Sequence, residues 1–258
     1  MGMRRFKALV ICVLGLVLQA GNIAASAFKV TPVRVTFSGP SSTLLTLKNE
    51  SDLPLRFQIS SFAWQQDPGG KVKLEPTEDI VFFPTLLTLA PGEERKVRVA
   101  STVTAQQTEK TYRIFFEELP GTEKQTQSSG AQVKILTKMG IPIFVTPEKG
   151  RAEAVIENGT IKDGSLSFDV RNTGNIHFGL QKVKVHGAGA DGKIAFEREL
   201  DGWYVLAGSP RTYQVDVPAD VCSKVKTVSI EAETDIASAA GNTATVTKTF
   251  DIGPGGCK

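Results

Sequence analysis

Val133-Lys134-Ile135-Leu136-Thr137-Lys138-Met139-Gly140 runs into Ile141-Pro142-Ile143-Phe144-Val145, and this stretch decides the fold. In its first half, Val133, Ile135, Thr137 and Met139 share one parity while Lys134, Leu136 and Lys138 share the other. A period of two belongs to a strand, whose successive side chains face opposite sides. The second half is almost continuously apolar, as expected of a strand buried on both faces. An extended run over Ala131–Pro147 is therefore expected, half-exposed at its start and fully buried at its end. Such a strand leaves one end available to another polypeptide.

Upstream, the same period recurs in short runs separated by turn residues. Phe28–Phe37 alternates, and Thr43–Lys48 places Leu45 and Leu47 on one face before Asn49-Glu50-Ser51-Asp52. Leu55–Trp64 follows with Phe57, Ile59 and Phe62 expected inward, then the turn Asp67-Pro68-Gly69-Gly70. Ile80–Phe83, Leu87 with Leu89, the turn Ala90-Pro91-Gly92-Glu93, Lys96–Ala100 and Thr111–Glu118 complete the series. Turn signals at roughly 8–12-residue spacing mark an all-β sandwich. Gly121–Gly130 is small and polar and reads as a connection between strands.

Downstream, Glu148-Lys149-Gly150-Arg151 reads as a joint, dividing residues 28–149 from residues 150–258. A second set of strands follows at Ala154–Ile156, Ser165–Val170, Gln181–His186, Trp203–Leu206, Tyr213–Val217, Val225–Thr234 and Thr243–Phe250. Leu166, Phe168, Val170 and Asn172 echo Leu45, Leu47 and Asn49, as two similar domains in tandem would. The expected fold class is all-β, with two immunoglobulin-like β-sandwich domains.

The amino terminus is basic at Arg4, Arg5 and Lys7, apolar from Ala8 to Leu18, and closes on Ala25-Ser26-Ala27. That is the layout of a secretory signal over residues 1–27, with a core shorter than the roughly 20 residues needed to span a bilayer. No later segment reads as membrane-inserting. The chain holds 30 Lys+Arg against 27 Asp+Glu, and the signal carries three of those bases and no acid. The remainder is formally neutral, which argues against nucleic acid as a partner.

Cys12 leaves with the signal, so Cys222 and Cys257 are the disulfide candidates in an oxidising compartment. Two free thiols or an intermolecular bridge are the alternatives. His177 and His186 are the only histidines, and each is expected at the surface. No nucleophile elbow, zinc-protease motif or Cys-x-x-Cys pair is present. Glu117 and Glu118 are neighbours on a strand and face opposite sides. The chain therefore reads as a non-enzyme without a metal or cofactor. Asn49-Glu50-Ser51 and Asn158-Gly159-Thr160 fit a glycosylation sequon, but both read as turns.

Several segments stand in a familiar order: Val30-Thr31-Pro32-Val33-Arg34-Val35, Leu45-Thr46-Leu47-Lys48-Asn49, Ala63-Trp64-Gln65-Gln66, Leu74-Glu75-Pro76-Thr77, Leu89-Ala90-Pro91-Gly92, Val97-Arg98-Val99, Tyr112-Arg113-Ile114 with Glu117-Glu118-Leu119-Pro120, and Ile141–Val145. Together they resemble the periplasmic chaperones of chaperone–usher pilus assembly, most closely the archaic branch serving spore-coat-U-like fimbriae. The resemblance implies an L-shaped pair of domains with a cleft between them. It also implies pilin subunits and an outer-membrane usher as partners, and a strand lent to a pilin that lacks one.

The donor side chains would be Val133 and Ile135, with Ala131, Thr137 and Met139 on the same parity, while Leu136 serves this chain's own core. Arg34 would bind the pilin's terminal carboxylate. The family's accompanying lysine falls at Gly140 here, and Lys138 is the nearest base, two residues away. Arg113 pairs with Glu117 or Glu118, or else faces the bound subunit. A self-capping homodimer through the exposed strand stays open as a further partner. The competing reading is a secreted adhesion or carbohydrate-binding module with Trp64, Trp203 and Tyr204 as an aromatic platform.

Overall fold

A computed structural model describes residues 27–121, 135–238, 241–253 and 256. Residues 1–26 of the expected signal, Ala131, Val133 and Cys257 lie outside the described residues. Ten strands come first: β1 (Phe28–Thr31), β2 (Val35–Phe37), β3 (Ser41–Asn49), β4 (Leu55–Gln66), β5 (Val72–Pro76), β6 (Ile80–Phe83), β7 (Leu86–Leu89), β8 (Glu94–Ser101), β9 (Lys110–Leu119) and β10 (Lys138–Val145). They form two sheets, one ordered β1-β3-β8-β6 and the other β2-β10-β9-β4-β5 with β7 also paired to β4. Leu45, Leu47, Phe57, Ile59, Val97, Val99, Ile114, Phe116 and Ile143 pack between the sheets. These are the alternating apolar positions that the period of two selects.

Two expectations need correction here. Phe28–Phe37 is not one strand: β1 pairs with β3 in one sheet, while β2 pairs with β10 in the other. Pro32 has no N–H to continue a ladder, so the chain leaves the first sheet there. Phe62 is not inward either. It shares parity with Trp64, opposite to Phe57 and Ile59, and meets the Phe115 ring on the outer face at 5.9 Å.

The second sandwich comprises β11 (Ala154–Lys162), β12 (Ser165–Asn172), β13 (Phe178–Ala188), β14 (Ile194–Asp201), β15 (Tyr204–Val205), β16 (Pro210–Asp216), a short helix α1 (Ala219–Cys222), β17 (Thr227–Ala237) and β18 (Thr243–Asp251). Its sheets are β11-β12-β16 and β14-β13-β17-β18, with β15 paired to β13. Among the described residues, no helix is long and apolar enough to cross a membrane.

The echo between the two halves has a structural meaning. Asn49 is fully buried; its side-chain oxygen accepts from the Ser51 amide, and its amide donates to the Leu53 and Leu89 carbonyls. Asn172 is buried in the same way, accepting from the Gly174 amide and donating to the Ile176 and Val205 carbonyls. In each domain one asparagine closes its own turn two and four residues on, then ties it to a distant strand. Asn158-Gly159, read as a turn, is instead a bulge within β11: the register shifts there and Asn158 adopts φ 60°. The turn itself falls at Asp163-Gly164, where both residues have positive φ, as a two-residue hairpin loop requires.

Candidate functional site

The site is the outer face of β9 and β10, from an open strand edge to the seam between the sandwiches. β10 pairs with β9 over its whole length, Lys138 opposite Glu117 through Val145 opposite Lys110. On its other side β2 covers only Ile143–Val145. Among the described residues, Lys138–Pro142 therefore has no strand on that side. Glu118 N donates to Thr137 O at 2.9 Å. By the alternation of an antiparallel ladder, the backbone groups of Lys138 and Gly140 then point away from β9, toward the open edge. Pro142 falls in the same set, so its missing N–H costs the β9 ladder nothing.

Exposure along β10 follows the expected gradient: Lys138 is exposed, Met139 and Gly140 are half-buried, and Ile141–Val145 are all buried. The expected donor residues are distributed unevenly. Ile135 is 63 % exposed and Leu136 is 43 % exposed, both ahead of the strand. Leu136 is thus not a core residue. Met139 packs against the core of its own sandwich, because it shares parity with Ile141, Ile143 and Val145. It is not directed outward. Thr137 is half-buried, with its amide 3.4 Å from Glu118 Oε2.

Arg34 and Lys138 are not brought together. Arg34 is exposed, in the short break before β2. Since Val35 lies opposite Ile143, Lys138 stands four residues back from Arg34's level, about 13 Å along the strand. Lys138 Nζ is 2.7 Å from Glu117 Oε2 and lies over the Phe115 ring at 5.0 Å. At Gly140 an added Cβ would stand 2.7 Å from Phe115 Cε1. That ring fills the space a lysine there would need.

Toward the second sandwich the same face ends in an aromatic seam. Trp64 is 1 % exposed and packs with Phe144 and Leu206, with Tyr204 against them. The aromatic platform is therefore not formed, since two of its three rings lie inside the seam. His177 is not a surface residue. Its ring stacks on Phe144 with centroids 3.5 Å apart and planes 10° apart, and its Nδ1 lies 2.8 Å from Glu109 Oε2. Gln66 joins the two halves through its amide, donating to Tyr204 O and accepting from Leu206 N. Thr212 N donates to Pro68 O at 2.7 Å, so the β4–β5 turn also docks on the second sandwich.

Arg113 pairs with neither Glu117 nor Glu118. Its guanidinium carbon lies 4.2 Å from the Trp64 ring centroid and 5.5 Å from that of Trp203. His186 stays near the surface, 3.1 Å from Glu197. Cys222 is buried and disulfide-bonded.

Residues 27–151 match the family described as "Pili and flagellar-assembly chaperone, PapD N-terminal domain". The fold is similar to that of the class 5 fimbriae chaperone CfaA, at 12 % identity and a TM-score of 0.54, over 88 % of this chain and 100 % of that one. It is similar to a chain of the CsuC–CsuE chaperone–tip adhesion subunit pre-assembly complex of Acinetobacter baumannii, at 17 % identity and TM-score 0.57, over 86 % and 97 %. It is also similar to the E. coli chaperone DraB, at 20 % identity and TM-score 0.51, over 88 % and 96 %. No curated protein matches the sequence.

Proposed function

We propose, from a first domain that belongs to the pili and flagellar-assembly chaperone family, that the whole chain is a non-enzymatic chaperone of fimbrial subunits in the periplasm. It binds a pilin that lacks its last strand by lending its own, and it hands that subunit to an outer-membrane usher. Residues 1–27 act as the secretory signal, and residues 28–149 and 150–258 are the two domains. The archaic branch is the one its motifs fit best.

The observation that carries this reading is the edge of β10, which no strand among the described residues covers over Lys138–Pro142 and which β2 covers from Ile143 on. An incomplete sandwich exposes a groove and unpaired backbone groups that invite aggregation. An added strand satisfies those groups by ladder hydrogen bonds, and its alternate side chains fill the groove. Ala131, Val133, Ile135 and Thr137 supply those side chains, and Met139, turned inward, marks where lending ends. Arg34 takes the subunit's terminal carboxylate. Burying each large apolar donor contributes about 1.5–3 kcal/mol.

The test is to change Val133 and Ile135 together to aspartate and co-express the variant with the small secreted proteins encoded beside it. The variant is expected to fold and to reach the same level as the parent, while its pilin is lost from the periplasm. Undiminished pilin would overturn the proposal.

A further inference from the structure

The sheet β1-β3-β8-β6 turns its outer face away from β10, because the two sheets of the first sandwich pack face to face. The register sets the residues of that face in four rows. Lys29 stands beside Lys48 and Lys48 beside Glu94, while Thr31 stands beside Thr46 and Thr46 beside Lys96. Leu44, Arg98 and Phe83 make the third row, and Ser42, Ala100 and Val81 the fourth. Neighbours in a row are about 4.8 Å apart, and rows roughly 7 Å apart. Lys29, Lys48, Lys96 and Arg98 thus share a face with a single acid, Glu94. Only Lys48 meets that acid, at 3.5 Å. Among the described residues, Lys29, Lys96 and Arg98 have no ion-pair partner, and Arg98 Nη1 donates to Ser42 Oγ. The comparable cations of the second sandwich, Lys182 and Lys184 on β13, are each paired with a glutamate.

The other end of the same face is apolar. Phe83 is 76 % exposed and Val81 54 % exposed, two residues apart on the edge strand β6, and Leu44 is exposed as well. Arg98 stands between Phe83 and Leu44 in the register, where an arginine stem covers apolar surface while its head stays in water. One exposed apolar side chain is ordinary, but a contiguous group rimmed by charge marks an interaction surface. This one spans four strands of a sheet and is no groove, which suits a broad surface better than a shaped ligand. Stable attachment to a membrane takes two weak signals together, an apolar group that enters the lipid and a basic patch. Both are present here, side by side.

We propose that the outer face of β1-β3-β8-β6 docks on an anionic phospholipid bilayer, Phe83 and Val81 entering the headgroup region and Lys29, Lys96 and Arg98 meeting lipid phosphates. Charge complementarity selects this occupant: bases without acids, next to an apolar edge, match a surface that is anionic above and apolar beneath. Docking on this side leaves the outer face of β9 and β10 toward water, so a subunit is carried on the aqueous side. The choice of a membrane rests on the periplasmic reading above. Its test reads lipid binding alone, so its failure leaves strand lending untouched.

The test floats the purified exported chain with two kinds of vesicle, one of pure phosphatidylcholine and one of equal parts phosphatidylcholine and phosphatidylglycerol. In low salt the anionic vesicles are expected to bind at least about tenfold tighter than the neutral ones. That margin should vanish in about 1 M salt, where screening acts within about 3 Å. Each base near an anionic surface carries about fivefold in affinity, so K96E combined with R98E is expected to remove the margin. Phe83→Ser is expected to weaken binding to the anionic vesicles at least about fivefold. K71E combined with K73E, beside and within β5 of the other sheet, makes the same change in net charge and is expected to keep the margin. All these side chains are exposed, and melting curves check that each variant folds. Should K96E with R98E not fold, K29E with K96E decides by the same margin. Equal binding to both vesicles, or equal losses in the β5 control and the face variants, would overturn the proposal. So would binding to neither vesicle, and the face would then belong to an acidic protein surface.

Discussion

Glu109 Oε2 receives both the backbone N–H of His177, at 2.9 Å, and its ring Nδ1, at 2.8 Å. The two residues belong to different sandwiches, and the carboxylate side chain is wholly buried. Replacing Glu109 with alanine strands two donors in the seam. The expected loss is about 2–4 kcal/mol of stability, from unsatisfied buried hydrogen-bonding groups, read by urea unfolding of the full chain. A loss below about 0.5 kcal/mol, the size of an ordinary surface change, would show the contact to be incidental.

Asn49→Ala and Asn172→Ala are each expected to cost about 1–3 kcal/mol, since each leaves carbonyls of a turn and a distant strand without a donor. The two losses should add when combined, because the sites lie in separate cores. Urea midpoints of the two single variants and the double variant check this, and strong non-additivity would mean that the two corners are not independent.

Glu93 gives a pH signature. Its carboxylate accepts from the Ala90 amide and from Arg95, and these contacts, the backbone bond foremost, hold its pKa below the ordinary value of 4.5. A folded-state pKa below the unfolded one contributes stability above the unfolded value, and that contribution is lost as pH falls through the folded one. E93Q should therefore lower the melting temperature near neutral pH and approach the parent's under strongly acidic conditions. Melting curves at about pH 7 and about pH 3, either side of the carboxylate range, decide it; an equal gap at both would refute the assignment.

Gly140→Ala should cost about 1–3 kcal/mol by overpacking, because the new methyl meets the Phe115 ring. Combining it with Phe115→Leu should recover part of the loss in a double-mutant cycle. If Gly140→Ala were neutral, the ring would not be what keeps a side chain out of that position.

Much of the architecture was legible in the period of two, including the burial gradient along β10 and the repeated asparagine corner. The break at Pro32 was not, because alternation continues across it while the chain changes sheets. The seam was harder still. His177 and Glu109 are far apart in sequence, and nothing near either residue marks it as buried; packing of the second sandwich alone does that. One signal was present: Phe62, Trp64 and Phe144 are large aromatics on the parity opposite the core. Aromatics there betray a second buried face, and they point to the seam and to the wall on which Arg113 rests.

Phe144 and Lys138 lie on the same strand, yet one is stacked beneath His177 inside the seam and the other is exposed and paired with Glu117. Among the described residues, β10 is thus flanked by strands on both sides at one end and by β9 alone at the other. A strand held in this way cannot slide to suit its guest. Whatever settles beside Lys138–Pro142 must take the alignment that the doubly flanked end dictates, because a one-residue slip would turn every side chain of the guest to the wrong side.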